Sequence, residues 1–164
     1  MNLFTKSLAV LSAVLLLTAC ESAPNSKSGA SGEGGMSGSS GGPVVKGSQE
    51  DLAQNVGDRV FFALDSSTLS ADAQHTLEKQ AEWLKQYPSV NVTVEGHCDE
   101  RGTREYNLAL GERRAAATKK YLVGLGLDAK RVSTISYGKE RPAVIGNDES
   151  AWSQNRRAVT VLNQ

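Results

Sequence analysis

Gly96 to Thr103 reads Gly-His-Cys-Asp-Glu-Arg-Gly-Thr, which puts a histidine, a thiol, two carboxylates and a guanidinium into one short stretch. Such a set can serve four chemistries. Cys98 with His97 would be a nucleophile and its base, but neighbours on an extended segment face opposite sides, so His97 is badly placed to activate Cys98. His97, Cys98, Asp99 and Glu100 would be metal ligands, but the familiar spaced signatures are missing and the other histidine, His75, falls on a separate helix. Glu95, Asp99 or Glu100 would be the acid and base of a glycosidase, which needs two carboxylates across a cleft that a small domain has little room for. The fourth possibility is a solvated loop of caps and salt bridges, which suits Glu100, Arg101, Arg104, Glu105 and Glu112. Downstream, Asn107, Leu110 and Arg114 are spaced i, i+3, i+7 and share one face of a helix that begins at this loop. An acid, an amide and a guanidinium can therefore converge there.

The elements that must position these groups follow from periodicity. Val60 to Leu64 is a short β-rich run that stops at Asp65-Ser66-Ser67, side chains that favour turns. Leu69, Ala73, Leu77, Ala81 and Leu84 recur at helical spacing around the N-cap residue Ser70, and Pro88 closes the segment. Val90 to Glu95 alternates as a half-buried strand ending at Gly96. Thr103 to Leu125 is helical again, with Gly124 and Gly126 at its end. Val132 to Tyr137 and Arg157 to Leu162 alternate as two further strands, joined through a loop around Trp152. The order strand, helix, strand, helix, strand, strand predicts an α/β two-layer sandwich with a mixed sheet and both helices on one face. The active loop then lies at the end of a strand, where α/β sheets commonly present ligands.

Composition limits what this domain can do. The chain has 164 residues, 39% hydrophobic and 5% aromatic, with 18 basic and 18 acidic side chains. Glycine crowds the stretch before Gly47, so Ser48 to Gln164 is left as one domain of ordinary size. That part carries 15 basic and 16 acidic residues, a net of −1, and so has no bulk positive field to hold nucleic acid. Met1 to Ala19 reads as a signal peptide, with Lys6 before an apolar run too short to anchor in a bilayer. Leu17-Thr18-Ala19-Cys20 resembles the bacterial lipobox, which implies acylation of Cys20 and attachment to membrane lipid. Glu21 occupies the position where an inner-membrane retention residue is usually Asp, which by resemblance to lipoprotein sorting favours the outer membrane. With Cys20 acylated, Cys98 is the one thiol left and no intramolecular disulfide forms. Cys20 to Gly47 is expected to be the lipidated residue and a disordered Gly/Ser-rich tether, with a root-mean-square span of roughly 25 to 31 Å and a taut limit of roughly 90 to 97 Å.

Several motifs in register carry a family resemblance. Leu64-Asp65, Gly96-His97-Cys98-Asp99, Asn107-Leu108-Ala109-Leu110, Arg113-Arg114-Ala115, Tyr137-Gly138 and Asn155-Arg156-Arg157 resemble the OmpA-like peptidoglycan-binding domain, in motif order from about Val56 to Leu162. With the lipobox and Asp99 to Thr103, the chain resembles the lipoproteins of that family. The resemblance implies a non-catalytic, cofactor-free and metal-free binder of peptidoglycan that recognises meso-diaminopimelate in the stem peptide. Asp99 and Arg114 would be the principal contacts, flanked by Leu64, Asp65, Asn107 and Leu110, with Arg157 as a further one. The family often has phenylalanine where this chain has Leu64, and small residues where it has Cys98. It also implies a place in the Tol-Pal system, with a TolB-like periplasmic propeller as partner and a role in envelope integrity and cell division. The ligand chemistry agrees: diaminopimelate ends in a carbon bearing an ammonium and a carboxylate, so Asp99 would take the cation and Arg114 would present its planar fork to the anion.

Overall fold

The computed structural model describes residues 44–163. The signal peptide, the lipobox with Cys20 and nearly all of the expected tether lie outside the described residues. The last residues of that tether already belong to the domain. Ser48 N donates to Val45 O (3.2 Å), and Gly47 N donates to the carboxylate of Asp51 (2.9 Å).

Chain order is α1 (Gln49–Asp51, continued by a π-helical turn Leu52–Val56), β1 (Arg59–Phe61), α2 (Ala71–Gln86), β2 (Val92–His97), α3 (Arg104–Gly124), a 3-10 turn (Ala129–Arg131), β3 (Val132–Gly138), α4 (Glu149–Asn155) and β4 (Arg157–Leu162). The predicted α/β sandwich with its mixed sheet is present. Strands are ordered β1-β4-β2-β3, with β2 parallel to β3, and β4 antiparallel to both β1 and β2. The last strand thus sits in the middle, and both chain ends of the domain are tied into the sheet.

Each helix begins where a side chain can satisfy its free amides. Ser70 caps α2 by accepting from Ala73 N (3.2 Å), and Thr103 caps α3 by accepting from Tyr106 N (3.2 Å). The stripe Ala73, Leu77, Ala81 and Leu84 is buried against Val60, Val92, Val94 and Ala158 of the sheet and against Ala115 and Leu122 of α3. Burial of each large aliphatic side chain here is worth about 1.5 to 3 kcal/mol. Alternation in the strands puts Phe61 and Ile135 on the other sheet face, where they are exposed.

A close approach of backbones fixes α3 over β2. A methyl group on Gly96 would lie 1.9 Å from Gly111 O, and one on Gly111 would lie 2.3 Å from the Ser136 hydroxyl. The absence of side chains at both positions lets α3 settle directly above the end of β2, which is what brings Asn107, Leu110 and Arg114 beside the Gly96 to Thr103 loop.

Two elements differ from expectation. The segment around Trp152, read as loop, contains α4, started by Asp148 accepting from Ala151 N (3.0 Å). The first strand is shorter than predicted: Phe62 N still donates to Arg156 O (2.9 Å), but the chain then leaves the sheet at Ala63. Leu64 is therefore not a strand residue. Asp65 takes a left-handed φ of 54°, a conformation that Asp tolerates better than most residues, and this turn forms one wall of the site.

Candidate ligand-binding site

At the end of β2 a cavity of about 320 Å³ is lined by Leu64, Asp65, Cys98, Asp99, Arg101, Gly102, Tyr106, Asn107, Leu110, Arg114 and Arg156. Six of the seven site residues expected from sequence are brought together there. The seventh, Arg157, is not. Arg156 and Arg157 are neighbours at the junction of α4 and β4, and successive side chains on extended backbone face opposite ways. Arg157 falls on the sheet side away from the helices, where it donates to Arg141 O (3.2 Å) and Asn155 O (3.4 Å). Arg156 takes the cavity position that Arg157 was expected to hold.

Asp99 is buried and fully engaged. One carboxylate oxygen accepts from Arg101 N (3.1 Å) and Arg101 Nε (3.3 Å), and the other accepts from Arg101 Nη2 (2.6 Å) and Arg156 Nη1 (3.3 Å). Burial alone would raise its pKa, but the hydrogen bonds and charge of Arg101, joined by Arg156, hold the carboxyl below the usual aspartate value. It is an anion in a pocket that also holds the Arg101, Arg114 and Arg156 guanidinia and the Asp65 carboxylate.

Arg114 is 1% exposed and does not pair with a carboxylate. Its Nε donates to Ser66 O (2.8 Å), Nη1 to His97 O (2.8 Å) and Nη2 to Ala63 O (3.2 Å). A guanidinium has five N–H donors, so two remain for a ligand. The residue thus has a second task that its position in the sequence does not reveal: it pins the Ala63 to Ser66 turn against the end of β2. Arg156 does similar work, with Nε donating to Phe62 O (3.1 Å) and Nη2 bonded to Glu149.

The remaining walls follow from the same packing. Asn107 Nδ2 donates to Arg101 O (2.8 Å) and Thr103 O (3.0 Å), which braces the loop instead of facing a solute. Tyr106 donates its hydroxyl to Asp65, and Leu64 and Leu110 supply apolar surface. Arg101, assigned from sequence to the solvated loop, stacks 3.9 Å from the centre of the Trp152 ring, and Trp152 Nε1 donates to Glu100 (3.1 Å). Arg101, Tyr106, Trp152 and Arg156 are the contributors that sequence reasoning missed. For Arg156 the parity of a strand beginning at Arg157 was the available signal.

The geometry also bears on the catalytic alternatives. Cys98 Sγ donates to Asn107 O (3.3 Å) beneath α3, and burial pushes its thiol pKa up. His97 points to the other sheet face beside Tyr137, with ring centres 5.5 Å apart, so thiol and imidazole do not meet. Glu95, whose carboxylate lies 3.5 Å from His97 Nε2, shares that opposite face and cannot flank a cleft with Asp99. Among the described residues, no three His, Cys, Asp or Glu side chains converge in a way that could hold a metal ion.

His97 makes a measurable prediction. It is 1% exposed, and neither ring nitrogen has a hydrogen-bond partner. Burial, with the positive charge of Arg157 next, pushes its pKa down to about 4. The unfolded chain takes up this proton near pH 6.5 and the folded domain only near 4, so stability is full above about 6.5 and falls as the pH drops through that window. Urea denaturation should show this residue's share as a loss of about 2.5 kcal/mol between pH 7.5 and 4.5, with His97→Gln visibly flatter than wild type over the same range. Equal slopes for the two proteins would mean that the buried imidazole is not the group responsible.

A two-layer α/β domain with a charged pocket at a strand-to-helix loop, and with its thiol and histidine turned apart, defines a small ligand-binding module. Comparison with known proteins agrees: the model of the OmpA family matches residues 61–156, and the chain belongs to that family, whose members are binding proteins and not enzymes. It is 57% identical over 148 residues to a peptidoglycan-associated lipoprotein of Agrobacterium fabrum, covering 90% of this chain and 82% of that one. To the protein of the same description in Haemophilus influenzae it is 45% identical over 159 residues, covering 97% and 98%. The crystal structure of the peptidoglycan-associated lipoprotein from Burkholderia pseudomallei superposes with a TM-score of 0.66 at 38% identity, covering 70% of this chain and 98% of that one.

Proposed function

We propose that this protein binds peptidoglycan non-covalently through the meso-diaminopimelate of the stem peptide, and that acylated Cys20 anchors it in the outer membrane with the domain facing the periplasm. The observation that carries the reading is the sharing of one cavity by the Asp99 carboxylate and the Arg114 and Arg156 guanidinia, walled by Leu64 and Leu110. A carbon bearing both an ammonium and a carboxylate matches those charges, and charge-assisted hydrogen bonds are the stronger kind. Similarity to peptidoglycan-associated lipoproteins over most of the chain supports the same ligand class. Among the described residues no helix is long and apolar enough to cross a membrane. Many weak wall contacts in parallel would then hold membrane and wall together. The family resemblance adds the Tol-Pal system as the setting, with a TolB-like periplasmic protein as partner and constriction at division as the process.

The test is co-sedimentation of the detergent-purified full chain with purified sacculi. Binding that free meso-diaminopimelate-type muropeptide competes away, without release of soluble wall fragments, is the expected result. Release of fragments would instead reveal a hydrolase.

Cys98 should be dispensable. Its thiol is buried against Asn107 O and adds no charge complementary to the ligand, so Cys98→Ala should leave muropeptide affinity within about twofold. A loss of binding by a variant with unchanged circular dichroism would return the thiol to the site.

A further inference from the structure

We propose that Arg101 is a specificity-determining residue of this pocket: an internal cation that occupies Asp99 until a ligand offers both an ammonium for Asp99 and a carboxylate for the released guanidinium. The inference rests on the diaminopimelate reading above and deepens it.

Asp99 already has the cations it needs. Arg101 contacts both of its oxygens and Arg156 contacts one, so an incoming ammonium finds no vacant acceptor on Asp99. One of the two guanidinia must yield. The Arg156 side chain is 8% exposed and is held by Phe62 O and Glu149 as well as by Asp99. The Arg101 side chain is 33% exposed, and all its side-chain hydrogen bonds go to Asp99. Arg101 is therefore the one that can leave.

Its destination is already built. The guanidinium lies over Trp152, whose indole is held by Glu100, and Glu149 is 4.0 Å from Arg101 Nη2. A stacked arginine can slide along the ring face without giving up the cation–π contact. The backbone, by contrast, is pinned. Lys139 Nζ donates to Glu100 O (3.0 Å) and Gly102 O (2.7 Å), and Asn107 holds Arg101 O. The exchange is thus a rotation of one side chain at the mouth of the cavity.

The consequence is a selection rule. A ligand that carries only an ammonium replaces one ion pair at Asp99 by another and leaves the Arg101 guanidinium without an anion from the ligand. A ligand that carries an ammonium and a carboxylate on one carbon replaces that single pair by two, because its carboxylate meets the freed guanidinium. Arg101 in this way penalises lysine-type ends more than Arg114 and Arg156 would unaided.

Calorimetry on the full chain in detergent tests this with two probes, a muropeptide carrying meso-diaminopimelate and the same muropeptide carrying L-lysine. Arg101→Ala should bind the lysine-type probe about tenfold more tightly than wild type and change the diaminopimelate-type probe by less than about threefold, so that the ratio between the probes collapses by roughly tenfold. Arg101→Gln, which keeps the length of the side chain without its charge, should behave in the same way. A ratio unchanged in both variants, whether the two probes weaken alike or neither responds, overturns the role of Arg101 and leaves the pocket assignment standing. If wild type binds neither probe, the pocket assignment fails, and the proposal for Arg101 fails with it.

Discussion

Arg114→Ala is expected to destabilise the domain by about 4 kcal/mol, because three carbonyls that the guanidinium satisfies lose their donor together. Each buried acceptor left without a partner costs about 1 to 3 kcal/mol, and the cavity left by the side chain adds to this. For a domain of this size the melting temperature should fall by more than about 10 °C. Arg114→Lys should fall between wild type and Arg114→Ala, since a single ammonium can reach some of the three carbonyls but cannot span them as a planar fork does. Thermal denaturation followed by circular dichroism checks the order. A melting temperature for Arg114→Ala within a degree or two of wild type would show that these hydrogen bonds do not hold the turn. Any loss of ligand binding in an Arg114 variant must accordingly be read together with its stability.

Asp99→Ala should weaken diaminopimelate-type muropeptide binding by about 30-fold or more, since truncating one partner of a desolvated charge pair costs about 2 to 5 kcal/mol. The variant also leaves Arg101 without a partner for its hydrogen bonds and gathers uncompensated positive charge around an entering ammonium. Arg156 keeps Phe62 O and Glu149, so the fold around it should survive. Calorimetry with wild type and Asp99→Ala decides the matter. Unchanged affinity in a folded Asp99→Ala protein would remove Asp99 from the site.

Much of this site was legible in the sequence because its parts are local. Asn107, Leu110 and Arg114 at i, i+3, i+7 identify one helix face, and Asp99 stands just beyond a strand whose alternation is plain. Arg157 was misplaced because it begins a strand directly after a helix, where a slip of one residue exchanges the two faces. The α4 helix was hidden because it is only seven residues long and buries only Ala151 and Asn155, too few to make a periodic stripe. Strand order was out of reach for a different reason: pairing β4 between β1 and β2 joins segments far apart in the chain, and local alternation does not say which strands meet. The structural work of Arg114 left no trace in residue types, since its partners are backbone carbonyls, which every residue has.

A pocket that reads a carbon bearing an ammonium and a carboxylate must respond to the loss of either charge. The most direct measurement is calorimetric titration of the wild-type full chain with a meso-diaminopimelate muropeptide and with the same muropeptide amidated at the terminal carboxylate of that residue. Amidation keeps the ammonium and nearly the same shape but removes the negative charge. The amidated ligand should bind about 30-fold more weakly or worse, and equal affinities for the two would mean that the pocket does not read the carboxylate.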